Sequence, residues 1–425
     1  MRWRRLKRYC DGPPEYGLNV SSDAYVDEGY RLLRTTDIDD AGALSPESEG
    51  VCVGRHLVDP RHVLIPGDLL FSRAGSLGRC FRVPQEARDL TFAGYLVRFR
   101  PLPMVDPRYI QYCVAAGFVQ ASIIADAVTS TISNFNAERY GNLLLPEKDP
   151  KQQRAIADYL DRETARIDAL IEKKGCLVER LGERRQSLIT GAVTGELGVS
   201  EMAACRQDQS PRSGDPRAIT GGDRVKTIPL KRIVGINLYT LPETTEPGFE
   251  FRYVDIGAVG RGQLVSEPEV TVFSAAPSRA RRLVRSGDTI ISTVRTYLRA
   301  VWPVRDSATD LVVSTGFAVL TPTGSIDSRY LGWLAQSDVV IEEVVARSVG
   351  VSYPAINPSD IGTIRVPLPP LPYQLAIADY LDRETARIDA LIKMINQQTS
   401  LLAERRQALI TAAATGELQI PGVAA

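Results

Sequence analysis

Two short segments of the chain combine a tight turn, an apolar run and an arginine-bearing loop. They read VLIPGDLLFSR from Val63 to Arg73 and LVRSGDTIISTVR from Leu283 to Arg295. Gly-Asp is a turn signal, and the apolar run after it predicts a strand. The backbone of small residues can approach a phosphate closely, and Arg, Thr and Tyr side chains can reach base edges. The loops therefore indicate contacts with a nucleic acid, and the simpler alternative is a surface turn with solvated arginines.

Two further polar loops, Thr129–Asn136 and Val349–Asn357, are candidates for the same contacts, although such residues suit helix caps equally well. Together the loops supply the candidate DNA-contacting residues, which are Arg73, Ser76, Arg79, Ser133, Asn134, Thr293, Arg295, Thr296, Tyr297, Arg299, Ser352 and Tyr353.

Residues that could perform catalysis are scarce. The two histidines, His56 and His62, both lie in the first half, and the six cysteines show no metal-ligand spacing. Glycine-rich phosphate loops of the GxGxxG or GxxxxGK[ST] type are missing. Asn357-Pro358-Ser359 lacks the aromatic residue with which amino-methyltransferases stack a flipped base. We therefore expect no catalytic residue, no metal site and no cofactor on this chain.

Charge is balanced in total but uneven along the chain. Lys and Arg number 51 and Asp and Glu number 51, which mildly disfavours a free-standing nucleic-acid binder. Residues 279–305, however, carry seven arginines against the single Asp288. No apolar run approaches the ~18 residues of a membrane span, and the cysteine usage predicts a reducing cytoplasm rather than a disulfide framework.

A long exact repeat positions these loops within a duplicated chain. AIADYLDRETARIDALI occurs at 155–171 and again at 376–392, an offset of 221 (376 − 155). Weaker matches continue upstream, where the two Gly-Asp turns stand 220 apart (287 − 67). The period is far too long for a solenoid, so two domain-sized α+β units are predicted, each followed by a nearly invariant helical segment.

Each helical segment predicts one long helix, read from about Tyr373 to Thr415 in the second copy. Apolar residues seven apart form a heptad seam there, with Leu391 on the same flank, which is typical of coiled-coil packing. The seam residues are Leu381, Ile388, Ile395, Leu402 and Leu409. Lys174 and Gly175 interrupt the seam of the first copy and predict a bend. The preferred partner for each helix is the other copy, in an antiparallel pair with pseudo-twofold symmetry, and the alternative is dimerisation with a second molecule.

Charged residues on the outer face of these helices are identical between the copies although the linked domains diverged. Identity of this kind favours two equivalent docking sites for one partner over a merely solvated face. The candidate partner-binding residues are Asp158, Arg162, Arg166, Asp379, Arg383 and Arg387.

The order of variable domain, conserved helix, variable domain and conserved helix resembles the specificity subunit of a type I restriction–modification enzyme. The resemblance covers essentially the whole chain and rests on GDLLFSR and GDTIISTVR, on TISNFNAERYGNLLLPEKDPKQQ and VSYPAINPSDIGTIRVPLPPLPYQ, and on the helical block with its TGEL ending. It implies two target recognition domains, each reading half of an interrupted asymmetric site in double-stranded DNA.

The same resemblance implies the partners. Two modification (methyltransferase) subunits would dock on the helices and bind S-adenosylmethionine, and restriction subunits would use ATP and magnesium. The expected boundaries are 1–148 and 228–370 for the recognition domains, 149–197 and 371–418 for the helical segments, 198–227 for a flexible linker and 419–425 for a tail. Two alternatives stay open, namely a coiled-coil adaptor with two protein-binding ends and a methyltransferase fused to specificity domains.

Overall fold

The computed structural model describes residues 2–39, 41–45, 48, 50–127, 134–197, 226–305 and 310–421. Ser133 and residues 198–225 of the expected linker lie outside the described residues. The chain divides into two compact units: unit 1 comprises Met1–Gly175 with Asn396–Ala425, and unit 2 comprises Cys176–Ile395. Each long helical segment is therefore shared between the units.

The strands and helices follow the same order in both halves of the chain. The first half contains strands β1 (Trp3–Arg5), β2 (Glu15–Tyr16), β3 (Tyr25–Val26), β4 (Tyr30–Leu33), β5 (Val51–Val53), β6 (Leu69–Ser72), β7 (Cys80–Arg82), β8 (Leu90–Phe92), β9 (Leu96–Phe99) and β10 (Leu144–Pro146). Its α-helices are α1 (Pro107–Ala115), α2 (Gly117–Asp126), α3 (Ala137–Asn142) and α4 (Pro150–Thr194).

The second half repeats this series with different lengths. Its strands are β11 (Thr227–Pro229), β12 (Val234–Ile236), β13 (Glu250–Val254), β14 (Glu269–Val272), β15 (Ala280–Leu283), β16 (Thr289–Ser292), β17 (Val301–Pro303), β18 (Leu311–Ser314), β19 (Phe317–Pro322) and β20 (Arg365–Pro367). Its α-helices are α5 (Ser328–Gln336), α6 (Asp338–Ala346), α7 (Pro358–Thr363) and α8 (Leu371–Thr415). Short 3-10 turns, among them Thr296–Leu298, complete both halves.

The sheets of the two units share one layout. Antiparallel sheets β2-β9-β6-β7 and β12-β19-β16-β17 correspond, and so do the strand pairs β1-β10 and β11-β20. The second sheet, β3-β5-β4-β8 in unit 1 and β14-β13-β18-β15 in unit 2, contains one parallel pair in each case, β4-β8 at an edge and β13-β18 in the centre. The units differ at both edges, because β3 extends the sheet beside β5 in unit 1 and the arginine-rich β15 extends it beside β18 in unit 2. The α+β prediction agrees with this content of helices and strands.

The Gly-Asp turns direct the chain into buried central strands, as the sequence predicts. Gly67 and Gly287 have φ of +88° and +91°, a region that glycine enters without steric cost. All four residues of β6 and of β16 are buried. A strand buried on both faces has no polar alternation, which explains the continuous apolar runs.

Both conserved segments form long helices, and α4 and α8 each contain 45 residues. Helix α8 begins at Leu371 rather than Tyr373, because a proline is tolerated in the first turn, where its missing N–H is not needed. Helix α4 runs through Gly175 without interruption. The seam residue Ile388 is buried, but Leu391 is 47% exposed, so its expected place on the seam flank is wrong.

The end of each conserved helix packs on the domain of the other copy. In unit 1, Gln407 Nε2 donates to Ala115 O at 2.6 Å, and Thr411 Oγ1 accepts from Gly117 N at 3.0 Å. Thr411 thereby satisfies an N–H at the start of α2 that has no partner within the helix.

Unit 2 repeats both contacts with residues offset by 221. Gln186 Nε2 donates to Gln336 O at 2.9 Å, and Thr190 Oγ1 accepts from Asp338 N at 3.1 Å. The helix ends thus fix the two domains by one repeated arrangement.

Candidate nucleic-acid interface

In unit 1 the loop after β6 is built around Arg73. The main chain of Arg73 accepts from Phe135 N at 2.9 Å. Its guanidinium lies over the ring of Tyr16, 5.0 Å from the centroid, and its Nε is buried without a partner. Tyr16 was not predicted from the sequence, since a tyrosine 57 positions upstream (73 − 16) gives no signal of this contact. Asn134 lies alongside, in a bridge with Ala74, and its Oδ1 is also buried and unpartnered.

The rest of this loop is short and rich in glycine, and hydrogen bonds to a buried tyrosine hold it in place. The buried Tyr140 donates its hydroxyl to Ser72 O at 2.6 Å and accepts from Gly78 N at 3.0 Å. Ser76 is exposed between these anchors. Arg79 donates to Ile38 O at 2.7 Å, so part of its guanidinium is used within the unit.

In unit 2 the equivalent loop separates its candidates into buried and exposed residues. Thr293 is 5% exposed and donates its hydroxyl to Gly316 O at 2.8 Å. Thr296 is buried as well, with its Oγ1 2.7 Å from Ser348 Oγ. Both hydroxyls therefore stabilise the loop, while the exposed side chains of the segment are Arg295, Tyr297 and Leu298.

The two arginines of this loop have strained backbones and different surroundings. Arg295 (φ 50°, ψ 47°) and Arg299 (φ 54°, ψ 37°) adopt left-handed conformations at either end of the 3-10 turn. Such a conformation costs a non-glycine residue of order 1 kcal/mol or more. Arg299 forms ion pairs with Glu342 at 2.5 Å and Asp338 at 3.5 Å. Arg295 has no ion pair among the described residues and lies over Tyr353, 5.0 Å from the ring centroid.

Tyr353 belongs to an exposed turn, the 349–355 turn, that borders the loop. Reciprocal backbone hydrogen bonds between Val349 and Ala355, of 2.9 and 3.0 Å, close the turn. Ser352 and Tyr353 are exposed, and Val351 at its tip is fully exposed. Val351 was not among the candidates, since an isolated valine in a polar loop carries no signal of exposure.

Backbone hydrogen bonds show which residues of the two loops correspond. Phe135 N donates to Arg73 O and Ile356 N donates to Thr293 O, so Arg73 corresponds to Thr293 and not to Arg295. Arg295 instead occupies the left-handed position of Gly75, which has φ of +76°. The Gly-Asp turns stand 220 positions apart in the sequence, and the same offset aligns Arg73 with Thr293 (73 + 220 = 293). Both units nevertheless place an arginine 5.0 Å over a tyrosine at this point, from different backbone positions.

On the helix face, several identical charges bind within their own unit. Asp158 pairs with Arg108 at 2.8 Å, and Asp379 pairs with Arg329 at 2.8 Å. Hydrogen bonds to Asp106 first, and then to Asp158 and Asp161, raise the pKa of Arg108, and the hydrogen bond to Asp379 raises the pKa of Arg329. Asp161 accepts from Tyr112, whose pKa burial raises to about 12.

Further identical charges join the two long helices. Asp168 pairs with Arg406 at 2.8 Å in unit 1, and Asp389 pairs with Arg185 at 2.9 Å in unit 2. Contacts within the protein therefore account for part of the identical face, and the docking of an external partner on the rest of it stays a prediction.

The remaining candidates form one small exposed cluster in each copy. Arg162 and Arg166 flank Glu163 at 3.4 and 3.2 Å, and Arg383 and Arg387 flank Glu384 at 3.3 and 3.0 Å. Surface pairs of this kind contribute little stability. The cluster is thus the part of the identical face that folding explains least.

Metal-binding clusters and membrane-spanning helices are both absent from the described residues. Those residues contain no group of three or more His, Cys, Asp and Glu arranged to hold a metal ion. None of the helices within the described ranges is long and apolar enough to cross a membrane.

Comparison with known proteins supplies the class of fold. The chain is 19% identical to a solved chain described under "complex assembly and conformational transition of the type I R-M system", with 98% of both chains covered and a TM-score of 0.64. At this identity the likeness shows the fold, which is the α+β fold of a type I restriction–modification chain. No protein-family model matches the sequence.

Sequence similarity identifies the relatives within that class. The chain is 30% identical over 100 residues to the type I restriction enzyme EcoKI specificity subunit of Escherichia coli (strain K12), a match covering 24% of this chain and 22% of that protein. It is 23% identical over 189 residues to the StySPI specificity subunit of Salmonella potsdam, covering 43% and 39%. The matches thus span less than half of either relative, and they confirm the resemblance to type I specificity subunits.

Proposed function

We propose that this chain is the DNA-specificity subunit of a type I restriction–modification complex. The observation that carries the proposal is that two units with one sheet layout present chemically different loops at the same point. Unit 1 has Gly75 and Gly78 at the left-handed positions of its loop, whereas unit 2 has Arg295 and Arg299 at its own. Units so related can read two different half-sites, so the full target is bipartite and not palindromic. The recognition domains are residues 1–148 and 228–370.

The conserved helical segments, 149–197 and 371–418, form an antiparallel coiled coil with pseudo-twofold symmetry that sets the spacer between the half-sites. Contacts in unit 1 support this arrangement. Asp168 meets Arg406, and Lys174, six residues later, meets Gln398, eight residues earlier. Sequence numbers that rise on one helix while they fall on the other are those of an antiparallel pair. The proposed linker, 198–227, and the proposed tail, 419–425, lie largely outside the described residues, and Thr227 already belongs to β11.

Two modification subunits dock on this scaffold, one at each copy of the exposed arginine cluster. The clusters consist of the same residue types in the same local geometry, so two copies of one partner fit them. Asp158 and Asp379, which pair with Arg108 and Arg329, contribute to docking by holding each domain against its helix. In this proposal the complex acts in the cytoplasm, away from any membrane.

The chain itself performs no chemistry and needs no cofactor. Methyl transfer from S-adenosylmethionine occurs on the modification subunits, and ATP-dependent translocation and cleavage occur on the restriction subunits. The role of this chain is to bind double-stranded DNA at one sequence and to position the catalytic subunits there.

The experiment that tests the proposal measures DNA binding by the chain copurified with its modification subunit. Binding to a genomic fragment carrying the target should weaken steeply with salt, because neutralised phosphates release counterions. It should also exceed binding to a scrambled duplex by about 10³-fold or more. Equal, weak binding to both duplexes would instead favour a coiled-coil adaptor with protein-binding ends.

A further inference from the structure

The left-handed positions of the unit 2 loop are occupied by arginines, which carry a backbone strain that glycine would avoid. Unit 1 places Gly75 and Gly78 at the two left-handed positions of its loop, with φ of +76° and +81°. Glycine is the residue that such positions favour. Unit 2 places Arg295 and Arg299 at its own two positions and carries the backbone strain. The arginine side chains must therefore serve a purpose that offsets it.

The two arginines serve different purposes. Arg299 is held by Glu342 and Asp338 of α6, so its charge is neutralised within the unit and fixes the loop to that helix. Arg295 is exposed and has no acidic partner among the described residues. Its guanidinium is available to a ligand that carries hydrogen-bond acceptors.

Tyr353 restricts how Arg295 can be used. The guanidinium carbon lies over the ring, 5.0 Å from its centroid, so the tyrosine limits the directions from which a ligand can approach the cation. The N–H groups of a guanidinium lie in its plane as a fork of donors. Stacking on an aromatic ring limits the rotamers of a long side chain and so lowers the entropy lost on binding.

We propose that Arg295, held over Tyr353, reads a guanine in the half-site recognised by unit 2. Guanine presents O6 and N7 side by side in the major groove, and a planar fork of donors matches that pair. A phosphate also accepts a bidentate arginine. The guanine is favoured because most of the neighbouring exposed side chains, among them Tyr297, Leu298 and Val351, are apolar or aromatic and suit base edges and methyl groups rather than phosphates. This inference rests on the proposed function.

The test uses the complex of the full chain with its modification subunit acting on a plasmid library in which both half-sites are randomised. Adenine methylation is read by sequencing for the wild type, for Arg295→Ala and for Arg295→Gln. The wild type should prefer G·C at one position of one half-site. Arg295→Ala should lower that preference by roughly 5- to 150-fold, the worth of one bidentate contact, and leave the other half-site unchanged. Arg295→Gln should shift the preference at that position towards adenine, which glutamine can bind through N6 and N7.

Controls separate this inference from folding and from the proposed function. Arg295→Gly removes the strain, so its melting temperature should not fall, while its base preference should match that of Arg295→Ala. Arg232→Ala, which removes an exposed charge elsewhere in unit 2, should leave the motif unchanged. A motif unchanged in Arg295→Ala, or a uniform loss of methylation at every position, overturns the guanine contact. A wild-type complex that shows no sequence preference overturns the proposed function itself.

Discussion

The buried aspartates of the two Gly-Asp turns should respond in opposite ways to the same substitution. Asp68 is fully buried and receives two hydrogen bonds of 2.8 Å from Arg100, a bidentate ion pair. Asp288 is 2% exposed and forms no ion pair among the described residues, because Thr321 stands where unit 1 has Arg100. Asp288 instead accepts from Arg285 N at 2.8 Å.

Asp68→Asn should destabilise unit 1 strongly. Removing one partner of a buried pair costs about 3–5 kcal/mol, and solvent access to Arg100, whose side chain is 32% exposed, lowers our figure to about 2–3 kcal/mol. For a unit of this size that corresponds to a fall of roughly 4–12 °C in melting temperature.

Asp288→Asn should leave unit 2 equally stable at pH 7 or raise its stability by up to about 1 kcal/mol, since an amide oxygen can accept the same hydrogen bond. Burial raises the pKa of Asp288 above its ordinary 3.8. Its contribution to stability is thus complete below that value and is lost as the pH rises through the folded-state pKa. The advantage of the asparagine variant should therefore grow between pH 4 and pH 7.

Scanning calorimetry of both variants over this pH range measures the effect. Equal losses of stability in the two variants at pH 7 would refute the reasoning, because the ion pair between Asp68 and Arg100 would then contribute no extra stability to unit 1. An advantage of Asp288→Asn that shrinks with rising pH would refute the argument from burial.

Three further predictions concern the helices. Thr411→Val should destabilise unit 1 by about 1 kcal/mol and speed hydrogen exchange at the amide of Gly117. Thr190→Val should do the same at the amide of Asp338 in unit 2. Unchanged exchange at both amides would show that the threonines do not cap these helices. Arg166→Glu or Arg387→Glu alone should leave one modification subunit bound, as counted by native mass spectrometry, and the double variant should bind none. The control Arg180→Glu, at a position whose counterpart in the other copy is Leu401, should retain two subunits. Two subunits on the double variant would exclude these docking sites. Seven residues inserted after both Gly175 and Asn396 should lengthen the pair of long helices by about 10.5 Å. The spacer of the methylated site should then lengthen by about 3 bp, at 3.4 Å per base pair. An unchanged spacer would show that the helices do not set its length.

The sequence was sufficient for the features that repeat or that follow local rules. The duplication, the turns at Gly67 and Gly287, the strands after them and the two long helices all depend on local composition and period. The helix start was misjudged at Tyr373 because a proline such as Pro372 ends helices but also begins them.

Features that depend on distant partners could not be predicted in this way. Nothing near Asp158 indicates that Arg108 neutralises it, and nothing near Thr411 indicates that it caps α2 of the first domain. The exposure of Leu391 likewise depends on which face of the helix its partner covers. A heptad pattern alone does not decide whether a residue beside the seam is covered.

The central claim is tested most directly by methylome sequencing of a host that expresses this chain with its modification subunit. The account predicts an N6-methyladenine motif made of two unlike half-sites and a fixed spacer, and it predicts that the motif vanishes when the gene for this chain is deleted. A palindromic motif, or a motif that persists without the chain while the modification subunit remains active, would contradict it.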